Sequence, residues 1–308
     1  MNSLKTYISI IPEVENALSK KQPVLALEST IIAHGMPYPE NIAFAKRAEA
    51  VVRKHGVVPA TIAIIEDKIH IGLNDEQLKI LASSKKVEKV AVRDIAVAVA
   101  QKLTGATTVS ATMRLAHLAG ISVFATGGIG GVHRNAETTF DISQDLIELS
   151  RTPIVVVSAG VKAILDIPKT LEYLETSAVF VVGYQTNEFP AFYSRSSGSK
   201  LTAQFNNPVE IANTFRAHCG LGLKSAILVA NPVPKSNDIP KNVIDKYIEI
   251  ALAECSEKNI IGKKVTPFLL KKIVELSNGE SLKINIALAL NNVKLGTQIA
   301  IKLSEIKF

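Results

Sequence analysis

A chain of 308 residues and 33.1 kDa has ample apolar material for one large domain. Hydrophobic residues make up 47% and charged residues 20%, and no apolar run approaches the ~18 residues of a membrane-crossing helix, so a helical membrane protein is excluded. Lys and Arg number 35 against 28 Asp and Glu, a net charge of +7, but the basic doublets Lys20-Lys21, Lys85-Lys86, Lys263-Lys264 and Lys271-Lys272 stand apart without interleaved aromatics. Such scatter fits a solvated surface that steers a small anionic substrate and speaks against a nucleic-acid partner.

The N-terminal stretch MNSLKTYISIIPEV has one lysine, a short apolar run broken by Pro12 and no small-residue cleavage site, so a cytoplasmic location is expected. Short Val- and Ile-rich runs then recur at residues 24–27, 61–65, 87–92, 121–125, 154–157, 179–182 and 226–230, with helix-like stretches between them. Residues 41–55 have helical periodicity and stop at Gly56, whereas residues 61–73 read as a hairpin turning at Glu66-Asp67. The pattern predicts an α/β fold with a mixed, largely parallel sheet, built as a single domain over residues 1–308.

In such sheets ligands gather beyond the carboxyl ends of the strands. Glu28 follows the strand of residues 24–27 there, either as a general acid raised by partial burial or as a loop carboxylate. The hydroxyl-rich TTVSAT of residues 107–112 opens the next helix, as caps or as phosphate donors. ATGGIGGVHR, residues 125–134, has four glycines in five positions with Thr126, His133 and Arg134 as added donors; it reads as a phosphate cradle or as a flexible turn. No Gly-Lys-Ser/Thr follows, and the dinucleotide fingerprint fails at its last glycine, so neither ATP nor NAD is expected. In TTFDISQD, residues 138–145, Asp141 has capping-box spacing to Gln144, while Asp141, Ser143 and Asp145 together offer hard oxygen ligands suited to magnesium or manganese.

Lys162 follows the strand of residues 154–157 through Ser158-Ala159-Gly160. Placed in the first turn of a helix among Val161, Ala163, Ile164 and Leu165, it would have its ammonium form disfavoured by the macrodipole and by burial, as Schiff-base chemistry requires; the alternative is a lysine snorkelling at the rim. GYQTNEFPAFYSRSSG, residues 183–198, gathers Tyr184, Phe189, Phe192 and Tyr193 into an aromatic wall, a lid or a subunit interface. Asn207-Pro208 opens a helix closing near Gly220. The proline-rich residues 231–240 mark an ordered loop or a subdomain joint, and residues 242–308 read as a mostly helical cap. Cys255 sits on the apolar face made by Ile244, Ile248, Ala251 and Leu252, and the two cysteines, Cys219 and Cys255, suit a reducing compartment.

LALESTIIAHGMPYPEN, ATGGIGGVHR, TTFDISQDL, SAGVKAILDI, LEYLET, GYQTNEFPAFYSRSSG, GKKVTPFLL and NIALALNN occur in this order over roughly residues 22 to 304. Together they resemble the pseudouridine-5′-phosphate glycosidase family, also called pseudouridylate synthase or indigoidine-synthase-A-like. The resemblance implies reversible cleavage of the carbon–carbon glycosidic bond of pseudouridine 5′-phosphate to uracil and ribose 5-phosphate, with a divalent metal, typically Mn2+. It implies a three-layer α/β/α sandwich and a homotrimer. By motif, Lys162 would form the covalent imine, Glu28 would be the proton donor and Asp141 would hold the metal. Lys89, Val109, Thr126, His133, Ser143, Gln144 and Asp145 would surround the ribose phosphate, and Asn285 would lie near the uracil edge. The chain departs from the family pattern at Gln144, where a smaller residue is usual, and at Lys235-Ser236, where acidic residues are common. Three rivals share some of these features: an aldolase-like imine lyase, a ribokinase-like kinase, for which the Gly-Ala-Gly-Asp signature is missing, and a non-catalytic sugar-binding module.

Overall fold

The computed structural model describes residues 6–84, 86–260, 262 and 265–306. Lys263-Lys264, Lys85 of its doublet, the first five residues and the last two lie outside the described residues. The strands, in chain order, are β1 (Ile8–Ile10), β2 (Val24–Leu27), β3 (Val58–Ile65), β4 (Lys68–Ile71), β5 (Glu88–Val90), β6 (Gly105–Thr107), β7 (Val123–Ala125), β8 (Val132–His133), β9 (Val155–Ser158), β10 (Leu165–Asp166), β11 (Phe180–Tyr184), β12 (Gln204–Phe205) and β13 (Ile227–Ala230).

The main sheet runs β1-β4-β3-β2-β7-β9-β13-β11-β12, with β6 added to β3 and β5 to β6. From β3 through β2, β7, β9, β13 and β11 to β12 every pairing is parallel, and within this sheet antiparallel pairing is confined to β3–β4 and β3–β6; β8 and β10 form a separate antiparallel pair. The sheet is therefore mixed and largely parallel, as expected. The hairpin at Glu66-Asp67 is present, with Ile65 opposite Lys68 and Glu66 in the left-handed region at φ 56°. β2, β9 and β13 are buried along their whole length, which accounts for their unbroken apolar sequences. The run expected at 87–92 is shorter: after Val90 the chain turns into a 3-10 helix, Val92–Asp94.

Helices cover both faces. Val109–Leu118 packs on β2, β3 and β7 together with Gln144–Leu149, while Glu280–Glu305 crosses β2, β7 and β9 beside Glu40–Lys54 and Pro208–Gly220. Gly296 lets this last helix approach closely, since a Cβ there would stand 3.0 Å from Leu25 Cδ1 and 3.2 Å from Ala125 Cβ. The C-terminal segment is thus three helices, Lys241–Glu257, Val265–Leu276 and Glu280–Glu305, of which the last is an integral layer of the sandwich. Cys255 is buried with Ile244, Ile248 and Ala251, as its spacing predicts, and both cysteines are free. Residues 231–240 form an ordered loop whose Asn231, Pro232 and Val233 are buried.

Candidate active site

Because β2, β7, β9 and β13 are parallel neighbours, the residues after each emerge along one edge. The register sets Leu27 beside Ala125, Ala125 beside Val157 and Ser158 beside Ala230. Glu28 and Thr126 are therefore adjacent, and the Thr126 hydroxyl donates to Glu28 Oε1. Glu28 is only 8% exposed. Burial pushes its carboxyl above the ordinary range, against the opposing pull of the Lys162 charge and of the Thr126 hydroxyl.

Lys162 emerges after β9 in an extended loop, and this corrects the helix expected there. Gly160 adopts φ +84° in a space where a Cβ would meet Pro190 O at 2.3 Å. Val161 then bridges to Ile129, the Lys162 N–H donates to Ile129 O at 3.0 Å, and β10 pairs antiparallel with β8. These tertiary pairings hold Lys162 in a loop, and the next helix begins only at Ile167. Its Nζ instead donates to Gly128 O at 2.8 Å.

The glycine strap between β7 and β8 is the floor of a cleft of about 300 Å³. Gly128 lies beneath Phe192, where a Cβ would stand 2.6 Å from the ring. The Gly130 N–H donates to Asp145 Oδ2 at 2.8 Å, and the Ser110 N–H donates to Asp145 Oδ1 at 2.8 Å. Asp145 thus holds two cleft-lining amides in place. Ser143, rather than Asp141, is the N-cap of Gln144–Leu149: its Oγ accepts from the Asp145 N–H at 3.2 Å. The capping expectation for Asp141 fails because the helix begins two residues later. That leaves the Asp141 carboxylate half-exposed at the cleft, 3.8 Å from His133 Nδ1, while its backbone carbonyl accepts from the His133 N–H at 3.0 Å. Burial lowers the pKa of His133, partly opposed by Asp141.

Among the residues expected to act, Glu28, Lys89, Val109, His133, Asp141, Ser143, Gln144, Asp145, Lys162 and Asn285 all line this one cleft. Thr126 is the exception, standing behind Glu28 as its hydrogen-bond donor. Gln144 turns its Oε1 to the backbone N–H of Arg93 at 3.2 Å, latching the 3-10 turn to the cleft rim. Sequence reasoning missed Arg93, and it gave no role to His34 or to Thr266, Pro267 and Leu270, all of which also line the cleft. Arg93 carries no local signal, and the last three come from a helix more than a hundred residues from the strap. In the aromatic segment Phe189, Phe192 and Tyr193 are buried and Phe192 packs edge-on to Tyr193 with centroids 4.8 Å apart, while Tyr184 ends β11 and is partly buried. Among the described residues no three His, Cys, Asp or Glu side chains converge as a metal cage. The donor set at Asp141, one half-exposed carboxylate beside an imidazole, still fits a hard divalent ion that keeps water and substrate phosphate in most of its shell.

Comparison with known proteins shows the family. The model of the family described as "Indigoidine synthase A like protein" matches residues 13–302. A protein named pseudouridine-5′-phosphate glycosidase from Caldanaerobacter subterraneus subsp. tengcongensis is 53% identical over 303 residues, covering 98% of this chain and 99% of the relative. One of the same name from Arabidopsis thaliana is 51% identical over 306 residues, covering 99% and 93%. Among solved structures, the prealnumycin C-glycosynthase AlnA in complex with ribulose 5-phosphate has a TM-score of 0.90 at 36% identity, with 97% of each chain covered. An indigoidine synthase A-like protein from Thermotoga maritima has a TM-score of 0.89 at 40% identity, again with 97% of each chain covered. The chain belongs to the indigoidine synthase A-like family.

Proposed function

We propose that this chain is a pseudouridine-5′-phosphate glycosidase that cleaves the carbon–carbon glycosidic bond through an imine on Lys162. The observation that carries the reading is the meeting of one buried acid and one amine in a single cleft: Glu28, backed by Thr126, and Lys162, held on Gly128 O. A carbon–carbon glycoside has no leaving oxygen for two-carboxylate catalysis, so an electron acceptor must be built at the anomeric carbon.

In the sequence proposed, the proton of Glu28 goes to the ring oxygen as the C1′–O4′ bond breaks, expelled by the electrons of the uracil ring. The Lys162 amine adds to C1′ and passes a proton back to the Glu28 carboxylate, which can then supply it to the uracil C5. Once the uracil C5 is protonated, the nitrogen lone pair forms C1′=N as the C1′–C5 bond breaks, and its electrons stay with the uracil. Water then hydrolyses the iminium, releasing ribose 5-phosphate and restoring the amine. Lys89, Ser143 and His133 suit the phosphate end, and Asn285 suits the base. Asp141, with His133 beside it, would hold a divalent ion, manganese by the resemblance, which supplies positive charge to neutralise phosphate. The trimeric assembly implied by the resemblance belongs to the same proposal.

Borohydride reduction in the presence of ribose 5-phosphate, followed by peptide mass mapping, tests this reading. The sugar adduct is expected on Lys162 and is expected to vanish, with turnover, in Lys162→Ala. An adduct on a different lysine, or a fully active Lys162→Ala protein, overturns the mechanism. An aldolase-like lyase would also trap on Lys162 but would not join ribose 5-phosphate to uracil in the reverse direction.

A further inference from the structure

The C-terminal helix Glu280–Glu305 presents two amides on one face. Asn285 and Asn292 are seven residues apart, two helical turns, and so are aligned. Asn285 reaches the cleft, whereas Asn292 is fully buried beneath its floor. Asn292 Nδ2 donates to Thr126 O at 2.8 Å and to Gly127 O at 3.2 Å. Its Oδ1 accepts from Asn231 Nδ2 at 2.9 Å. Asn231 is in turn fixed at the end of β13 by its N–H, which donates to Ser158 O at 2.8 Å.

Resting on the function proposed above, we infer that Asn292, oriented by Asn231, is a positioning residue that sets the relative placement of Glu28 and Lys162. The strap it grips touches both groups: the Thr126 hydroxyl is bound to the Glu28 carboxylate, and Gly128 O receives Lys162 Nζ. Backbone bonds also hold the strap, from Thr126 N–H to Val157 O at 3.0 Å, from Ala159 N–H to Gly127 O at 2.9 Å and from Ile129 N–H to Gly160 O at 3.1 Å, but Gly127 and Gly128 carry no side chains to pack, and Asn292 is a side chain that spans the Thr126 and Gly127 carbonyls together. A buried amide spanning two consecutive carbonyls fixes the tilt of that peptide, and with it the line from the acid to the amine. Misplacement on the scale of about 1 Å costs a reacting pair roughly 100-fold in rate, while binding contacts elsewhere in the cleft survive.

The test compares the full-length protein with Asn292→Ala, Asn231→Ala and the double variant, by steady-state kinetics on pseudouridine 5′-phosphate and by the rate of borohydride trapping on Lys162. Asn292→Ala is expected to lower kcat and the trapping rate about 10- to 100-fold with KM changed less than about threefold. Asn231→Ala, which leaves Asn292 in place but unoriented, is expected to lose less in the same direction, and the double variant is expected to be no worse than Asn292→Ala. Should Asn292→Ala fail to fold, the Asn231→Ala comparison carries the test. Wild-type kcat and trapping rate in the soluble variants, or a raised KM with kcat intact, overturns the positioning role while leaving the glycosidase reading standing. A parent protein that neither cleaves pseudouridine 5′-phosphate nor traps ribose 5-phosphate overturns both.

Discussion

Glu28, the proposed acid, shows how a buried ionisable side chain works against the fold that holds it. The carboxyl lines the cleft in front of Thr126 with 8% of its surface exposed, and its elevated pKa means that the native state binds its proton more tightly than the unfolded chain does. At pH values below the unfolded carboxyl's pKa, both states are protonated and burial of the charge carries no penalty. As pH rises toward and through the folded value, the unfolded chain gains the freedom to ionise before the native state does, and stability is lost. Glu28→Gln keeps an acceptor for the Thr126 hydroxyl and removes the ionisation. This variant should be inactive, yet should melt higher than the parent at pH 8, by about 2–4 °C for each 1 kcal/mol recovered, with the gap closing toward about pH 4. Thermal melts of both proteins across that range decide the matter: a gap that does not change with pH would show that the carboxyl is not held protonated by its site.

At the scale of elements, the glycine strap and the segment that caps Gln144–Leu149 are mutually dependent. A Cβ on Gly130 would lie 2.2 Å from Ser143 Oγ and 2.8 Å from Asp145 Oδ2, so Gly130→Ala must displace either the N-cap or the carboxylate that receives the Gly130 and Ser110 amides. Overpacking of this kind costs about 1–3 kcal/mol, and displacement of the ordered amides should lower kcat/KM roughly 100-fold. Gly220→Ala is the matched control, since a Cβ there meets nothing within 4 Å, and it should leave activity unchanged and melting equal or slightly higher. Equal activity in both variants would deny the strap its role. These elements also show what the sequence made legible. β2 was readable from end to end because VLAL is apolar, β-branched at its start and bounded by Pro23 and Glu28. The helix expected at Lys162 was not, because VKAILDI has local helical character while its fate is decided by Ile129 and by the pairing of β10 with β8, partners some thirty residues away. Likewise the cap of Gln144–Leu149 moved from Asp141 to Ser143 because Ser143 N–H is tied to Gly131 O, a tertiary bond that the spacing of the carboxylate does not reveal. Glu28, His133, Asp141, Ser143, Asp145 and Lys162 were legible by type and place after a strand and Lys89, Val109, Gln144 and Asn285 only through the family resemblance, whereas Arg93 and Asn292 owe their places to chain crossings that no local pattern records.

For the whole molecule, the decisive element is the last long helix. A cap could be removed and leave a folded sandwich; a layer could not. Glu280–Glu305 buries Ile284, Leu288, Val293, Leu295, Ile299 and Leu303, in addition to the polar Asn285 and Asn292 and the fully buried Thr297. At about 1.5–3 kcal/mol for each large apolar side chain, these six contribute on the order of 9–18 kcal/mol, as large as the entire net stability of about 5–15 kcal/mol that a domain retains. A chain ending at Asn278 would also uncover Leu25 and Ala125, the residues on which Gly296 rests, along the central strands β2 and β7. Such a chain should lack a cooperative thermal transition and near-UV circular dichroism, and should aggregate when expressed, although it retains every strand and the acid, the amine and the glycine strap. A truncated protein that melts cooperatively, or that still traps ribose 5-phosphate on Lys162, would show instead that the sheet and its other helices form a self-sufficient core and that the C-terminal helix is an accessory to it.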